Sequence, residues 1–152
     1  MLSHWNFLNV NSNRIWVAWN PTVSNVLLLK ETDQIIHVLV TEIKSSKTRE
    51  VSFIYGLHTP RDRRSMWRDL LQISNSSNGT PWMATGDFNE VLDPREIFGG
   101  NQVRDQGIDE FNYFVNQACL ADLRYTGIYF TWSNRRFARD ESWIELLLIV
   151  TG

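Results

Sequence analysis

The stretch Trp82-Met83-Ala84-Thr85-Gly86-Asp87-Phe88-Asn89-Glu90-Val91-Leu92 passes from a mostly apolar tetrapeptide, through a glycine, to an aspartate and an asparagine two residues apart. If the chain stays extended through Asn89, Asp87 and Asn89 project to one side. Phe88 then points to the other, where its ring can anchor the segment in a core. Carboxyl ends of strands in layered sheets leave crevices open between their loops. An aspartate there can take a proton from water or hold a cation, and an asparagine can hydrogen-bond a phosphate oxygen without adding charge. The pair suits hydrolysis of a phosphodiester, whose transition state needs positioning and charge stabilisation more than covalent help. Taken alone, Gly-Asp-x-Asn is more often a turn that ends a strand. An EF-hand loop is excluded, because Leu92 stands where that loop needs its glycine and Val91 where it needs an oxygen ligand.

Outward from this stretch, residues 14–55 read as short extended segments, RIWVAWN, VLLLK, IIHVLVTEI and REVSFIY, parted by polar or proline-containing breaks. That spacing predicts a β meander. In the last segment Val51, Phe53 and Tyr55 alternate with Ser52 and Ile54, so Tyr55 shares a face with two core candidates at the strand's carboxyl end. Thr59-Pro60 offers an N-cap with proline in the first turn, and Met66, Trp67, Leu70 and Leu71 follow at helical spacing. A helix over 60–73 is predicted, then a surface loop over 74–80 (SNSSNGT). A second helix is predicted over 108–119, where Ile108, Phe111, Phe114, Val115 and Ala118 form one apolar face. Residues 129–133 (YFTWS) read as a further strand. The order of elements favours an α/β (by some schemes α+β) layered sheet.

With 152 residues, 43% of them hydrophobic, the chain suits one core, so one domain, or part of one, is expected over 1–152. Net charge is −2, so any contact with nucleic acid must come from local patches. A lone cysteine, Cys119, and an amino terminus without signal-peptide character predict a reducing, intracellular setting. No apolar run reaches the roughly 18 to 20 residues that span a bilayer.

Several separated blocks in a fixed order carry a resemblance: NRIWVAWNP (13–21), VSFIYG (51–56), PWMATGDFNEVL (81–92), Gly99-Gly100 and FNYFVNQACLADLRYTGIYFTWSNRR (111–136). Together they closely resemble the endonuclease domain of plant-type non-LTR retrotransposons, within the endonuclease/exonuclease/phosphatase superfamily. The likeness runs from about residue 13 to 139 and leaves 140–152 as a divergent tail. It implies a four-layer, DNase I-like α/β sandwich and nicking of DNA dependent on Mg²⁺ or Mn²⁺, with no small-molecule cofactor and a nuclear location. Carried over, Asp87 matches the aspartate that activates or orients water, Asn89 the asparagine that binds the scissile phosphate, and Tyr55 the tyrosine near that phosphate. Trp132, Asn134, Arg135 and Arg136 match the block that lines the DNA-binding edge.

The same likeness marks departures. The glutamate that binds metal lies upstream of the block matched by NRIWVAWNP, so the fold is expected to be incomplete at both ends. Glu31 falls after that block and reads as a strand-end surface residue. Leu147 stands where an aspartate is expected, and no histidine follows His58. His37 reads as structural. These absences predict a weak or inactive endonuclease. The alternative is a nucleic-acid-binding remnant without catalysis, motivated by Arg61, Arg63, Arg64 and Arg68 around one helix start and by the arginines after Trp132.

Overall fold

Alternation in the segment Thr48–Tyr55 sets the layers. Ser52 and Ile54 turn toward one core, and Val51, Phe53 and Tyr55 toward another. The structure, a computed structural model, describes residues 5–9, 14–94, 97–98, 105–122, 132–133, 143–144 and 148–151. Its elements are β1 (Asn6–Asn9), β2 (Trp16–Trp19), β3 (Ser24–Glu31), β4 (Ile35–Glu42), β5 (Thr48–Tyr55), α1 (Pro60–Ser76), β6 (Trp82–Asp87), β7 (Ile97–Phe98), α2 (Asp105–Gln117), β8 (Leu120–Asp122), β9 (Trp132–Ser133), β10 (Trp143–Ile144) and β11 (Leu148–Thr151). Six strands form one sheet in the order β3-β4-β5-β6-β11-β8, β1 and β2 form a second sheet, and β7, β10 and β9 a third.

The meander expected over residues 14–55 holds for β3, β4 and β5, which pair antiparallel in sequence. β2 is the exception: it pairs with β1, Trp16 opposite Asn9 and Trp19 opposite Asn6. This ribbon turns Leu8, Val17 and Trp19 onto Val38, Val51 and Phe53 of the main sheet, so two sheets close over one apolar layer. The opposite face of the main sheet is covered by α1 and α2. Met66, Trp67, Leu70 and Ile73 from α1 meet Phe111 and Phe114 from α2 over Ile54, Trp82 and Ala84. Helices, main sheet and second sheet are thus three of the layers that an α/β sandwich requires.

α1 begins where expected. Thr59 caps it by accepting the Asp62 amide at 3.2 Å and donating to the Asp62 carboxylate at 2.6 Å. It runs further than the apolar pattern suggested, through Ser76, and Ser77 is buried rather than part of a surface loop. The serine hydroxyls explain this: Ser76 and Ser77 lie 3.0 and 2.9 Å from the Ile73 carbonyl, and Ser77 lies 2.6 Å from Glu50. α2 lies at Asp105–Gln117, a little earlier than expected. Of the strand expected over 129–133, Trp132–Ser133 is described, as β9, and 129–131 lie outside the described residues.

The carboxyl-terminal segment departs most. Within the segment read as a divergent tail, β11 lies between β6 and β8, antiparallel to both, with Ile149 opposite Ala84 on one side and Asp122 on the other. A short apolar run with β-branched Ile149, Val150 and Thr151 suits a strand flanked on both sides.

Candidate functional site at the carboxyl ends of β5 and β6

β5 and β6 run parallel in a register that pairs Tyr55 with Asp87, so both strands end level. Tyr55 packs into the layer between the sheets, and its register partner Asp87 faces the same way. Phe88 turns to the other side. It is 2% exposed and sits in an aromatic cluster with Trp67 and Phe111 at centroid distances of 6.0 and 5.0 Å. Burial of that ring fixes the segment that carries Asp87.

Gly86 and Gly56 allow the two strand ends to approach. Gly86 has φ +136°, and a Cβ there would collide with the backbone of Ile54. A Cβ on Gly56 would collide with the Phe88 carbonyl, and the Gly56 amide donates to the Asp87 carbonyl at 2.6 Å. The strand does not continue extended to Asn89. β6 ends at Asp87, and Asn89 takes φ +51°, a left-handed conformation that asparagine tolerates. The Asn89 amide donates to Asp87 Oδ1 at 2.9 Å, and its Nδ2 donates to the Gly56 carbonyl at 2.5 Å. The turn reading of Gly-Asp-x-Asn is therefore met in geometry, and that turn stitches the β5 end to the β6 end.

Beneath the turn lies an ion pair. Arg63 of α1 is 2% exposed and meets Glu90, while its Nη1 donates to the carbonyls of Leu57 and His58 at 3.0 and 3.1 Å. Gln34 completes the support. Its Oε1 accepts the Leu57 amide at 2.8 Å and its Nε2 donates to the Asp62 carbonyl at 3.1 Å. One guanidinium thus joins the loop after β5 to the loop after β6. Burial pushes the Glu90 carboxyl above its ordinary range, against the pull of Arg63.

These supports went unread in the sequence, although a signal was present. Arg63 stands at i of an i, i+3, i+4, i+7 stripe with Met66, Trp67 and Leu70, and a charge on a core stripe calls for a buried partner. Within the arginine cluster at this helix start, Arg63 is buried and Arg64 is bridged to Glu110 at 2.7 Å, while Arg61 and Arg68 are exposed. His37 is structural, as expected. It is 4% exposed, with Nδ1 3.0 Å from Ser52 Oγ and Nε2 3.4 Å from Glu50. Glu31 ends β3 and is exposed.

Arg14, at the approach to β2, places its guanidinium carbon 5.6 Å from the centre of the Tyr55 ring. Of the expected DNA-binding edge, Trp132 lies in β9, paired with Ile144. Its side chain, and all of Asn134, Arg135 and Arg136, lie outside the described residues. Among the described residues, no three His, Cys, Asp or Glu side chains gather as an ion would require. Asp87 is the carboxylate at the strand ends, and Glu90 is turned to Arg63. These side chains do not by themselves make a Mg²⁺ or Mn²⁺ site. A cleft of about 690 Å³ between α1 and α2, lined by Trp67, Leu71, Tyr113 and Phe114, lies across the main sheet from Asp87. No helix among the described residues is long and apolar enough to cross a membrane.

No family model matches the sequence, and no curated protein matches it. Solved structures do match. The endonuclease domain of TRAS1, a telomere-specific non-LTR retrotransposon, superposes with a TM-score of 0.67 at 12% identity, over 97% of this chain and 66% of that one. An endonuclease/exonuclease/phosphatase family protein from Bacteroides thetaiotaomicron gives 0.61 at 11% identity, over 98% and 61%. A mannosyl-6-phosphatase from Bacteroides thetaiotaomicron VPI-5482 gives 0.55 at 11%, over 99% and 64%. The chain thus spans 61–66% of the length of these structures and shares their fold, the DNase I-like α/β architecture expected from its motifs.

Proposed function

We propose that this chain, built on the fold of endonuclease/exonuclease/phosphatase structures, is part of one such domain. We assign it part of a site that hydrolyses phosphodiesters in DNA, in the manner of a retrotransposon endonuclease. The observation that carries the reading is the parallel register of Tyr55 with Asp87, with Asn89 folded back onto Gly56 at the same strand ends. Asp87 uses Oδ1 to hold the turn, and Oδ2 is the atom that orients or deprotonates an attacking water. Asn89 commits one Nδ2 hydrogen to Gly56 and keeps a second for a phosphate oxygen. The Tyr55 hydroxyl is a further donor to that phosphate. The resemblance implies Mg²⁺ or Mn²⁺, which would offset charge on the scissile phosphate. The roles assigned here belong to Asp87, Asn89 and Tyr55 alone. With a single carboxylate at the described strand ends, turnover by this chain is slow.

The test is conversion of supercoiled plasmid to open circle with Mg²⁺ or Mn²⁺, run beside Asp87→Ala and an EDTA control. The expected result is slow nicking that falls about 10² to 10⁴-fold in the variant and stops in EDTA. Nicking by Asp87→Ala at the parent rate, or none from the parent although circular dichroism shows it folded, would sink the hydrolytic reading. The second outcome leaves DNA binding without turnover.

A further inference from the structure

β3 ends the six-stranded sheet: among the described residues it pairs with β4 on one side and with no strand on the other. We propose that this open edge is an interface between two copies of the chain, β3 against β3, antiparallel about a twofold axis through Val26. β4 stands between the edge and β5, so the seam lies away from Tyr55 and Asp87.

The backbone is self-complementary there. The Ile43 amide donates to the Val23 carbonyl at 2.9 Å, which sets the phase of the β3–β4 ladder. Successive residues of an antiparallel strand turn their backbone groups to opposite sides. Val23, Asn25 and Leu27 therefore serve β4, while Ser24, Val26 and Leu28 turn theirs to the open side. The Ser24 amide is taken by the Asn20 carbonyl at 3.1 Å, so the donors left at the edge are the amides of Val26 and Leu28. A twofold axis through Val26 gives both an acceptor. Each Val26 amide meets the Val26 carbonyl of the other copy, and each Leu28 amide meets the other copy's Ser24 carbonyl.

Side chains follow the same register. Val26 packs against the layer between the sheets and would lie beside its own counterpart. Leu29, 46% exposed, would fall opposite Val23, 54% exposed, and Leu27 and Leu28, 59% and 37% exposed, would each gain a neighbouring strand. Natural edges are guarded by proline, by lysine or by bulges. β3 has no proline, and its one lysine, Lys30, is drawn onto α1 by Asp69 at 2.7 Å and Gln72 at 3.3 Å. The irregularity of the strand lies between Leu28 and Lys30, which leaves residues 24–28 regular. A seam this short buries less than the roughly 1,200 Å² of stable complexes, so the dimer is reversible and forms with rising concentration.

The experiment is sedimentation velocity over a concentration series, joined to amide hydrogen exchange read residue by residue, for the parent, Leu28→Pro and the pair Leu27→Lys, Leu29→Lys. The parent should pass from monomer to dimer. Over the same concentrations the Val26 and Leu28 amides should slow, while those of Asn25 and Leu27, already bonded to β4, should change little. Leu28→Pro removes a donor that does not serve β4 and should weaken dimerisation on the order of tenfold or more. The lysine pair charges the seam and should weaken it comparably. A parent that stays monomeric would overturn the proposal, and so would association that leaves the Val26 and Leu28 amides exchanging as in dilute solution. Either variant, folded by circular dichroism, that dimerises with the parent's affinity would overturn it as well.

Discussion

Asn89 and Glu90, neighbours in the chain, hold the site by different physics. Asn89 sits at φ +51° and spends its side chain on the Gly56 carbonyl. Asn89→Ala should destabilise the protein by about 2 kcal/mol, roughly half from the left-handed backbone and half from the lost hydrogen bond. Asn89→Gly restores the backbone freedom and should recover about 1 kcal/mol in urea unfolding. If the two variants are equally stable, backbone conformation is not what asparagine provides. Glu90 instead neutralises an arginine that is 2% exposed. Glu90→Ala leaves that cation buried and unpaired, and should cost about 3 to 5 kcal/mol. The double variant Arg63→Met, Glu90→Leu should be far less destabilised than Glu90→Ala alone, because both charges leave together. Additive losses in the double-mutant cycle would refute the pairing.

At the scale of elements, β4, β5, β6 and the end of α1 meet over a buried polar chain. The Trp82 indole donates to Ser52 Oγ at 2.9 Å, Ser52 Oγ lies 3.0 Å from His37 Nδ1, and His37 Nε2 faces Glu50, which Ser77 also reaches. The Glu50 carboxylate beside Nε2 only accepts, which favours the tautomer of neutral His37 with its proton on Nε2, leaving Nδ1 to accept from the Ser52 hydroxyl. Burial holds the pKa of His37 below its ordinary 6.5 despite the pull of Glu50, with Lys30 adding a smaller push the same way. The folded protein therefore binds this proton less readily than the unfolded chain. Its contribution is complete above pH 6.5 and drains away as pH falls from 6.5 toward the lowered folded value. Urea unfolding at pH 7.5 and 5.5 should show the parent losing more stability than His37→Gln, by up to about 1.4 kcal/mol per pH unit within that window. Equal losses would place the acid sensitivity elsewhere.

Across the whole molecule, the β1–β2 ribbon is apolar on both faces. One face closes the layer over β4 and β5, while Trp5, Phe7 and Trp16 on the other are 40%, 52% and 64% exposed. Exposed aromatic surface on this scale binds dyes and other chains. The paired change Phe7→Lys, Trp16→Lys should lower anilinonaphthalene sulfonate fluorescence and concentration-dependent association, and shift the unfolding midpoint by no more than about 0.5 kcal/mol equivalent. A large loss of stability would mean that these rings are covered within the fold.

Much of the architecture was legible along the chain. Period-two and period-3.6 patterns marked β3 to β6 and both helices, because alternation and helical stripes follow from local geometry. Gly86, Asp87, Phe88 and Asn89 could be read as a strand end with a polar pair, since each residue type has a local conformational meaning. Tertiary structure decided what sequence spacing cannot express. It paired β2 with β1 rather than β3, and it set β11 between β6 and β8. It also turned Arg63 inward to Glu90 and brought Arg14 over Tyr55. These outcomes depend on which apolar faces meet and which charges are buried together, and only the closing of layers between distant segments sets them.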